Sequence, residues 1–217
     1  MKHGAMKTFL FDLDGTLVDS MPTLSKITLR VLDDYGIPYD TDIMQTFIPI
    51  GYEGTAACFV ELGVPLSQEE IVALLHRKAV EEYVNRIPEK NHVVTTIKML
   101  EAKGYSLNVL TASSHDMIDP CLKRLGIFDR FDHIWSCEDF ATTKTDPELY
   151  REAVRILGKD AADVVLFDDN YSALKTAKSV GMEICGVYDK ASEDLEEQIR
   201  SITDYYLYDM QEVSNFF

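Results

Sequence analysis

Long apolar runs are missing from this sequence. No stretch of its 217 residues approaches the roughly 20 consecutive apolar positions that a bilayer-spanning helix needs, and the opening residues lack the apolar core of a signal peptide. The expected location is therefore the cytoplasm, with no membrane partner. Basic side chains are also scarce: 21 Lys and Arg stand against 37 Asp and Glu, and the net charge of −16 repels nucleic acid and acidic membrane surfaces. Cys58, Cys121, Cys137 and Cys185 lie far apart with no Cys-x-x-Cys spacing, which argues against a zinc site or disulfide framework and for buried free thiols. There is no internal repeat, no low-complexity tract and no Gly-x-Ser-x-Gly elbow. Hydrolysis by Ser or Cys with His115 thus has no support, and His115 is expected at the surface or at a helix cap. Met1 to Ala5 are assigned no role in the fold.

What is present reads as globular. At 46% hydrophobic and 27% charged, the chain is long enough for one sizeable core and a smaller module. Five segments rich in β-branched or aromatic residues, Thr8 to Leu13, Ser106 to Thr111, His133 to Ser136, Val164 to Asp168 and Glu183 to Tyr188, recur between helical patterns. That alternation predicts an α/β fold with a parallel sheet covered on both faces. From about Pro22 to Ile87 no strand signal appears. Leu24, Ile27, Thr28, Val31 and Leu32 recur at helical spacing, as do Ile71, Leu74, Leu75, Lys78 and Val80 less strictly. Ser20 with Pro22 predicts a helix start, Ser67 with Glu70 a capping box, and Ile87-Pro88 the end of a helical insertion. The expected domains are a core of residues 1–20 and 88–217, and a small helical module of residues 21–87. Glu193, Asp194, Glu196 and Glu197 are expected on a solvated helix face.

The chemistry concentrates where apolar segments end. Phe9-Leu10-Phe11-Asp12-Leu13-Asp14-Gly15-Thr16-Leu17 places two carboxylates two residues apart, on the same face at the end of a strand. Their mutual repulsion calls for a proton or a divalent cation. Gly15 then permits a sharp turn or the close approach of a phosphate. Asp-x-Asp-Gly by itself is equally compatible with an ordinary turn.

The longer string Asp12-Leu13-Asp14-Gly15-Thr16-Leu17 resembles the first motif of the haloacid dehalogenase superfamily. The chain is similar to the branch of phosphoglycolate phosphatases and β-phosphoglucomutase-like proteins, which carry a helical cap inserted after the first strand. The resemblance implies a Rossmann-like three-layer core, an active site at the carboxyl ends of the strands and a cap that closes over it. It implies Asp12 as nucleophile through an aspartyl-phosphate, and Asp14 as general acid and base. The dehalogenases that name the superfamily need no such acid at the position of Asp14, so its presence points to phosphoryl transfer.

Three further motifs extend the resemblance over Lys7 to about Met210. In Val109-Leu110-Thr111-Ala112-Ser113-Ser114, Thr111 and the amide of Ala112 would bind phosphoryl oxygens, with Ser113 as the alternative hydroxyl. Ser113 and Ser114 are equally good cap material. In Thr143-Lys144-Thr145-Asp146-Pro147, Lys144 would hold both nucleophile and phosphate. Thr145 stands where the family has Pro, and Asp146-Pro147 is also a helix start. In Val164-Val165-Leu166-Phe167-Asp168-Asp169-Asn170, Asp168 or Asp169 would join Asp12 and the carbonyl of Asp14 around Mg²⁺.

The implied activity is Mg²⁺-dependent hydrolysis of a small phosphorylated metabolite, a monoester. The alternatives are a phosphomutase of the β-phosphoglucomutase type and a non-catalytic binding protein of the same fold. No Arg or Lys occurs between Arg30 and Arg77, where a mutase of that type would need a cation for its second phosphate. Within the insertion, Phe47 to Gly54 is the candidate substrate loop, with Gly51 and Tyr52 as its contact residues.

Overall fold

A computed structural model describes residues 6–40, 43–47 and 51–217. Met1 to Ala5, and Ile48 to Ile50 of the candidate loop, lie outside the described residues. The chain divides into two compact units, one made of Met1–Asp19 with Pro88–Phe217, the other of Ser20–Ile87.

The first unit is built on six parallel strands, β1 (Thr8–Phe11), β2 (Ser106–Thr111), β3 (His133–Ser136), β4 (Val164–Asp168), β5 (Glu183–Val187) and β6 (Tyr205–Leu207). Their spatial order is β3-β2-β1-β4-β5-β6, so the first strand lies at the centre and the direction of winding reverses beside it. Helices α5 (Val93–Ala102), α6 (His115–Leu125), α7 (Pro147–Leu157), α8 (Tyr171–Ser179) and α9 (Glu196–Ile202) provide the crossovers.

Because residues two apart share a face, the strands sort their side chains into two cores. Leu10, Leu110, Leu166 and Ile184 pack with Leu149 and Tyr150 of α7, Leu174 of α8 and Ile199 of α9. The opposite face is aromatic. Phe9 stacks on Tyr105, Phe11 meets Phe131 edge-on, and Phe167 meets the C-terminal Phe217.

β6 was not among the expected strands. It is three residues long, Tyr205 and Tyr206 are half-buried, and its place at the sheet edge is set by pairing with β5. That pairing depends on Gly186, where a Cβ would lie 2.7 Å from the ring of Tyr206 and 2.8 Å from Ile199. The first and fifth strands also end sooner than expected, at Phe11 and Val187.

The second unit is helical: α1 (Met21–Asp34), α2 (Met44–Phe47), α3 (Gly51–Glu61) and α4 (Gln68–Asn85). Ser20 is the N-cap residue of α1, with Pro22 in its first turn. The capping box of α4 is complete: Ser67 Oγ accepts from the amide of Glu70, and the Glu70 carboxylate accepts from the amide of Ser67. Thr28, Val31 and Leu32 form the buried stripe of α1. The stripe of α4 differs from the expected one, since Ile71, Leu75, Ala79 and Tyr83 recur every four residues. Lys78 instead lies 3.8 Å from Asp34 as an ion pair, and Val80 is only half-buried. All four cysteines are free thiols, and Cys58 in α3 is half-buried where full burial was expected.

Candidate active site

The centre of the sheet determines which motifs meet. β1 is flanked by β2 and β4 in a register that pairs Phe11 with both Val109 and Phe167. The next residue, Asp12, donates its amide to the carbonyl of Phe167 at 2.9 Å, so its side chain emerges beside Asp168 at the carboxyl end of β4. Thus two carboxylates 156 positions apart in sequence become neighbours through the sheet.

Oxygens of Asp12, Asp168 and Asp169 all lie within 4.8 Å of one another. One cation is built into this group: Lys144 Nζ lies 2.5 Å from Asp12 Oδ1 and 2.8 Å from Asp168 Oδ2, with its side chain 13% exposed. Lys144 precedes α7, which Asp146 caps by accepting from the amide of Glu148, so the motif is at once helix start and charge carrier. Leu149, Tyr150 and Ala153 pin that helix to the sheet.

The electrostatics are those of excess negative charge in a dry place. Burial pushes the Asp12 carboxyl up to about 7, with Asp168 and Asp14 adding to the rise and Lys144 opposing it. Burial likewise raises Asp169 well above the carboxylate range, reinforced by Asp168 and Asp12. Burial disfavours the charge on Lys144, yet Asp12 and Asp168 hold its pKa well above the ordinary lysine value. Three carboxylates against one ammonium leave a deficit that a proton or a divalent cation relieves.

The acids at the end of β4 are not equivalent. Asp168 is already committed, accepting from Lys144 through Oδ2 and from the amide of Asn170 through Oδ1 at 2.8 Å. Asp169 accepts no hydrogen bond from the described residues, and its carboxyl lies against Gly15. A Cβ on Gly15 would sit 2.7 Å from Asp169 Cγ, and the backbone there has φ +75°, so glycine is required twice over.

At the end of β2, Thr111 is buried and its Oγ1 accepts from the amide of Ser113 at 3.2 Å. Ser113 Oγ donates to Asp14 Oδ2 at 2.6 Å, a contact with the proposed acid. Ser114 is the N-cap residue of α6. Ala112 and Lys144 line one cavity of about 430 Å³ with Cys137, Glu138 and Thr143. Burial raises the Cys137 thiol, which keeps it protonated. His115 opens α6 and is held between Asp119 at 3.1 Å and Asp139 at 2.9 Å, a surface arrangement.

The candidate substrate loop is not a loop where it is described. Gly51 and Tyr52 form the first turn of α3, and Tyr52 packs against the apolar cluster of Val31, Phe59 and Leu75 in its own unit. Its aromatic ring joins that core because α3 begins at Gly51, placing Tyr52 on the helix rather than on a connection.

One residue of this region was not singled out from sequence. Lys90 Nζ donates to the carbonyl of Gly15 at 2.7 Å, to the carbonyl of Tyr188 at 2.5 Å and to Asp189 Oδ2 at 2.8 Å. Nothing in its local sequence marks it, apart from its place just after the Ile87-Pro88 return.

Comparison with known proteins agrees with this geometry. A pyrophosphatase, PpaX, of Bacillus velezensis is 29% identical over 189 residues, covering 86% of this chain and 85% of its own. A phosphoglycolate phosphatase of Cupriavidus necator is 28% identical, covering 81% of this chain and 78% of its own. CbbY of Rhodobacter sphaeroides, whose crystal structure is in complex with phosphate, shares the fold with a TM-score of 0.79 at 20% identity, over 96% of each chain. Residues 9–187 match the haloacid dehalogenase-like hydrolase family, a span that contains all four strand-end motifs. With the matching motifs brought to one end of one parallel sheet, the chain belongs to the haloacid dehalogenase-like hydrolases.

Proposed function

We propose that the protein is a Mg²⁺-dependent phosphatase of a small phosphorylated metabolite, acting through an aspartyl-phosphate on Asp12. The observation that carries this reading is the close group of Asp12, Asp168 and Asp169, an all-oxygen donor set with Lys144 as its one cation among the described residues. Such a set suits Mg²⁺, which is bound through one or two carboxylates with water and phosphate oxygens. Asp12, Asp169 and the carbonyl of Asp14 would hold it, while Asp168 acts as the strut of Lys144. Bound there, the ion would screen the charge of an incoming phosphate and of Asp12.

In the first half-reaction a carboxylate oxygen of Asp12 forms a bond to phosphorus as the bond to the ester oxygen breaks. Asp14 gives its proton to that departing oxygen. In the second, Asp14 takes a proton from water, whose oxygen attacks phosphorus and releases inorganic phosphate and free Asp12. Lys144 orients Asp12 and offsets the repulsion between it and the phosphate. The Thr111 hydroxyl and the amide of Ala112 donate to the phosphoryl oxygens, and Ser113 orients Asp14.

The absence of Lys and Arg between Arg30 and Arg77 favours a hydrolase handling one phosphate over a mutase gripping two. No described helix is long and apolar enough to cross a membrane, and we place the protein in the cytoplasm with a small-molecule partner. Hydrolysis of p-nitrophenyl phosphate with and without Mg²⁺, beside Asp12→Asn, tests the proposal. We expect Mg²⁺-dependent turnover and a loss of at least about 10³-fold in the variant. Absence of turnover at saturating Mg²⁺ would sink it, and sustained conversion of one phosphorylated isomer to another would favour the mutase.

A further inference from the structure

Lys90 is a largely enclosed charge with no part in the steps above. Its side chain is 18% exposed and that of Asp189 only 5%. Burying an ion pair is costly, and such a pair gives weak support to stability when hydrophobic residues would serve as well. What the pair contributes is position. The three ammonium protons of Lys90 are all used, and they join three places in the fold: the turn after β1 at Gly15, the end of β5 at Tyr188, and Asp189 beyond it.

The backbone of Lys90 is fixed as well. Its amide donates to the carbonyl of Leu17 at 3.0 Å, and Asp19 donates to the carbonyl of Pro88 at 3.0 Å, so the returning chain is stitched to the segment after Gly15. Asp189 is held in turn, accepting from the amide of Ala191 at 2.8 Å. Gly15 is thus gripped on its carbonyl side by Lys90, while its α-carbon abuts the carboxyl of Asp169. Asp169 has no hydrogen bond from the described residues to orient it, so the contact with Gly15 is the restraint on that side. Because Asp189 neutralises Lys90, the pair adds geometry to the acidic cluster and little net charge.

We propose that Lys90 is a positioning residue, holding the Asp14–Gly15 turn against Asp169 and thereby setting the affinity of the acidic cluster for a divalent cation. The inference rests on the metal site proposed above. Its test is Mg²⁺ titration by calorimetry, which reads binding and not turnover, with thermal unfolding of the same samples. Lys90→Met alone leaves Asp189 buried and unpaired, so the informative variants are Lys90→Met/Asp189→Asn and Asp189→Asn. In the double variant no charge is stranded. We expect it to fold and to bind Mg²⁺ about 10–100-fold more weakly, the range found when an outer-shell partner of a metal ligand is lost.

Asp189→Asn keeps the bond from Lys90 to Gly15 but removes a negative charge that acts on Asp169, so its Mg²⁺ affinity should fall clearly less than that of the double variant. Under turnover, the double variant should need correspondingly more Mg²⁺ for half-maximal rate, with the rate at saturation less affected. Unaltered Mg²⁺ affinity in the double variant would overturn the proposal, as would an equal loss in Asp189→Asn or an unaltered protein that binds no Mg²⁺. A protein that binds Mg²⁺ but hydrolyses no phosphate ester would break the phosphatase reading and leave the judgement on Lys90 to the titration.

Discussion

The two units of this protein carry their information differently. In Ser20–Ile87 much of the legible detail is local, a capping box spanning Ser67 to Glu70 and a stripe of residues four apart in α4, while the ion pair from Lys78 to Asp34 joins two helices. In the sheet unit the decisive contacts are long-range, Lys144 to Asp12 and Asp168, Ser113 to Asp14, and Lys90 to Gly15. A helix satisfies its own backbone and needs only one apolar face. A parallel sheet brings strand ends together whatever their separation in sequence, and therefore collects chemistry at one edge.

Breaking the long-range network should have the largest effect. Lys144→Met removes the one cation that the described residues pair with Asp12 and Asp168, and we expect Mg²⁺-dependent hydrolysis to fall by at least about 100-fold. Losing one partner of a buried pair typically costs about 3–5 kcal/mol, and urea unfolding without metal should show a loss of that order. Added Mg²⁺ should recover part of the stability by occupying the same deficit of charge. A variant as stable and as active as the parent would mean that the cluster does not depend on its lysine.

A truncation in the helical unit sharpens the contrast. Leu75→Ala opens a cavity at a fully buried position of α4, with an expected loss of about 2–5 kcal/mol in unfolding free energy. Mg²⁺ affinity by calorimetry should be unchanged, because every acidic ligand candidate belongs to the other unit. Ser67→Ala is smaller, about 1 kcal/mol for loss of the cap, visible as a lowered melting temperature with no change in metal binding. A metal affinity that followed either substitution would erase the distinction between the units.

The smallest effect concerns pH. Hydrogen bonds from His115 to Asp139 and Asp119 raise its pKa above the ordinary imidazole value. A group raised on folding stabilises the folded state fully below its unfolded pKa of about 6.5 and loses that contribution as pH rises through the folded pKa. Since His115 is substantially exposed, solvent screening keeps the effect slight. His115→Gln should lower the melting temperature a little at pH 5.5 and leave it unchanged at pH 8.5. An equal shift at both values would assign the effect to packing instead.

Local contacts are legible in the sequence and long-range ones are not. Ser67 and Glu70 were legible because a capping box lies within four residues, and Asp12, Asp14, Lys144 and Asp169 because each sits in a recognisable local string. β6 was missed because three residues at a sheet edge, Tyr205 to Leu207, are too short a run to signal a strand and become one only through β5. The stripe of α4 was misjudged at Lys78, whose aliphatic stem sits at helical spacing while its ammonium faces Asp34. Tyr52 was expected on a loop, and the structure places it on α3, partly buried against the apolar cluster of its own unit.

The sequence by itself determined the alternation of strands and helices, the helical insertion and the motifs at four strand ends, because periodicity and turn chemistry are properties of neighbouring residues. Only the tertiary structure decided that Asp168 supports Lys144 while Asp169 accepts no hydrogen bond from the described residues, that Ser113 donates to Asp14, and that Lys90 grips Gly15. Those assignments depend on distances across strands, and sheet order and register, which no local pattern encodes, set them.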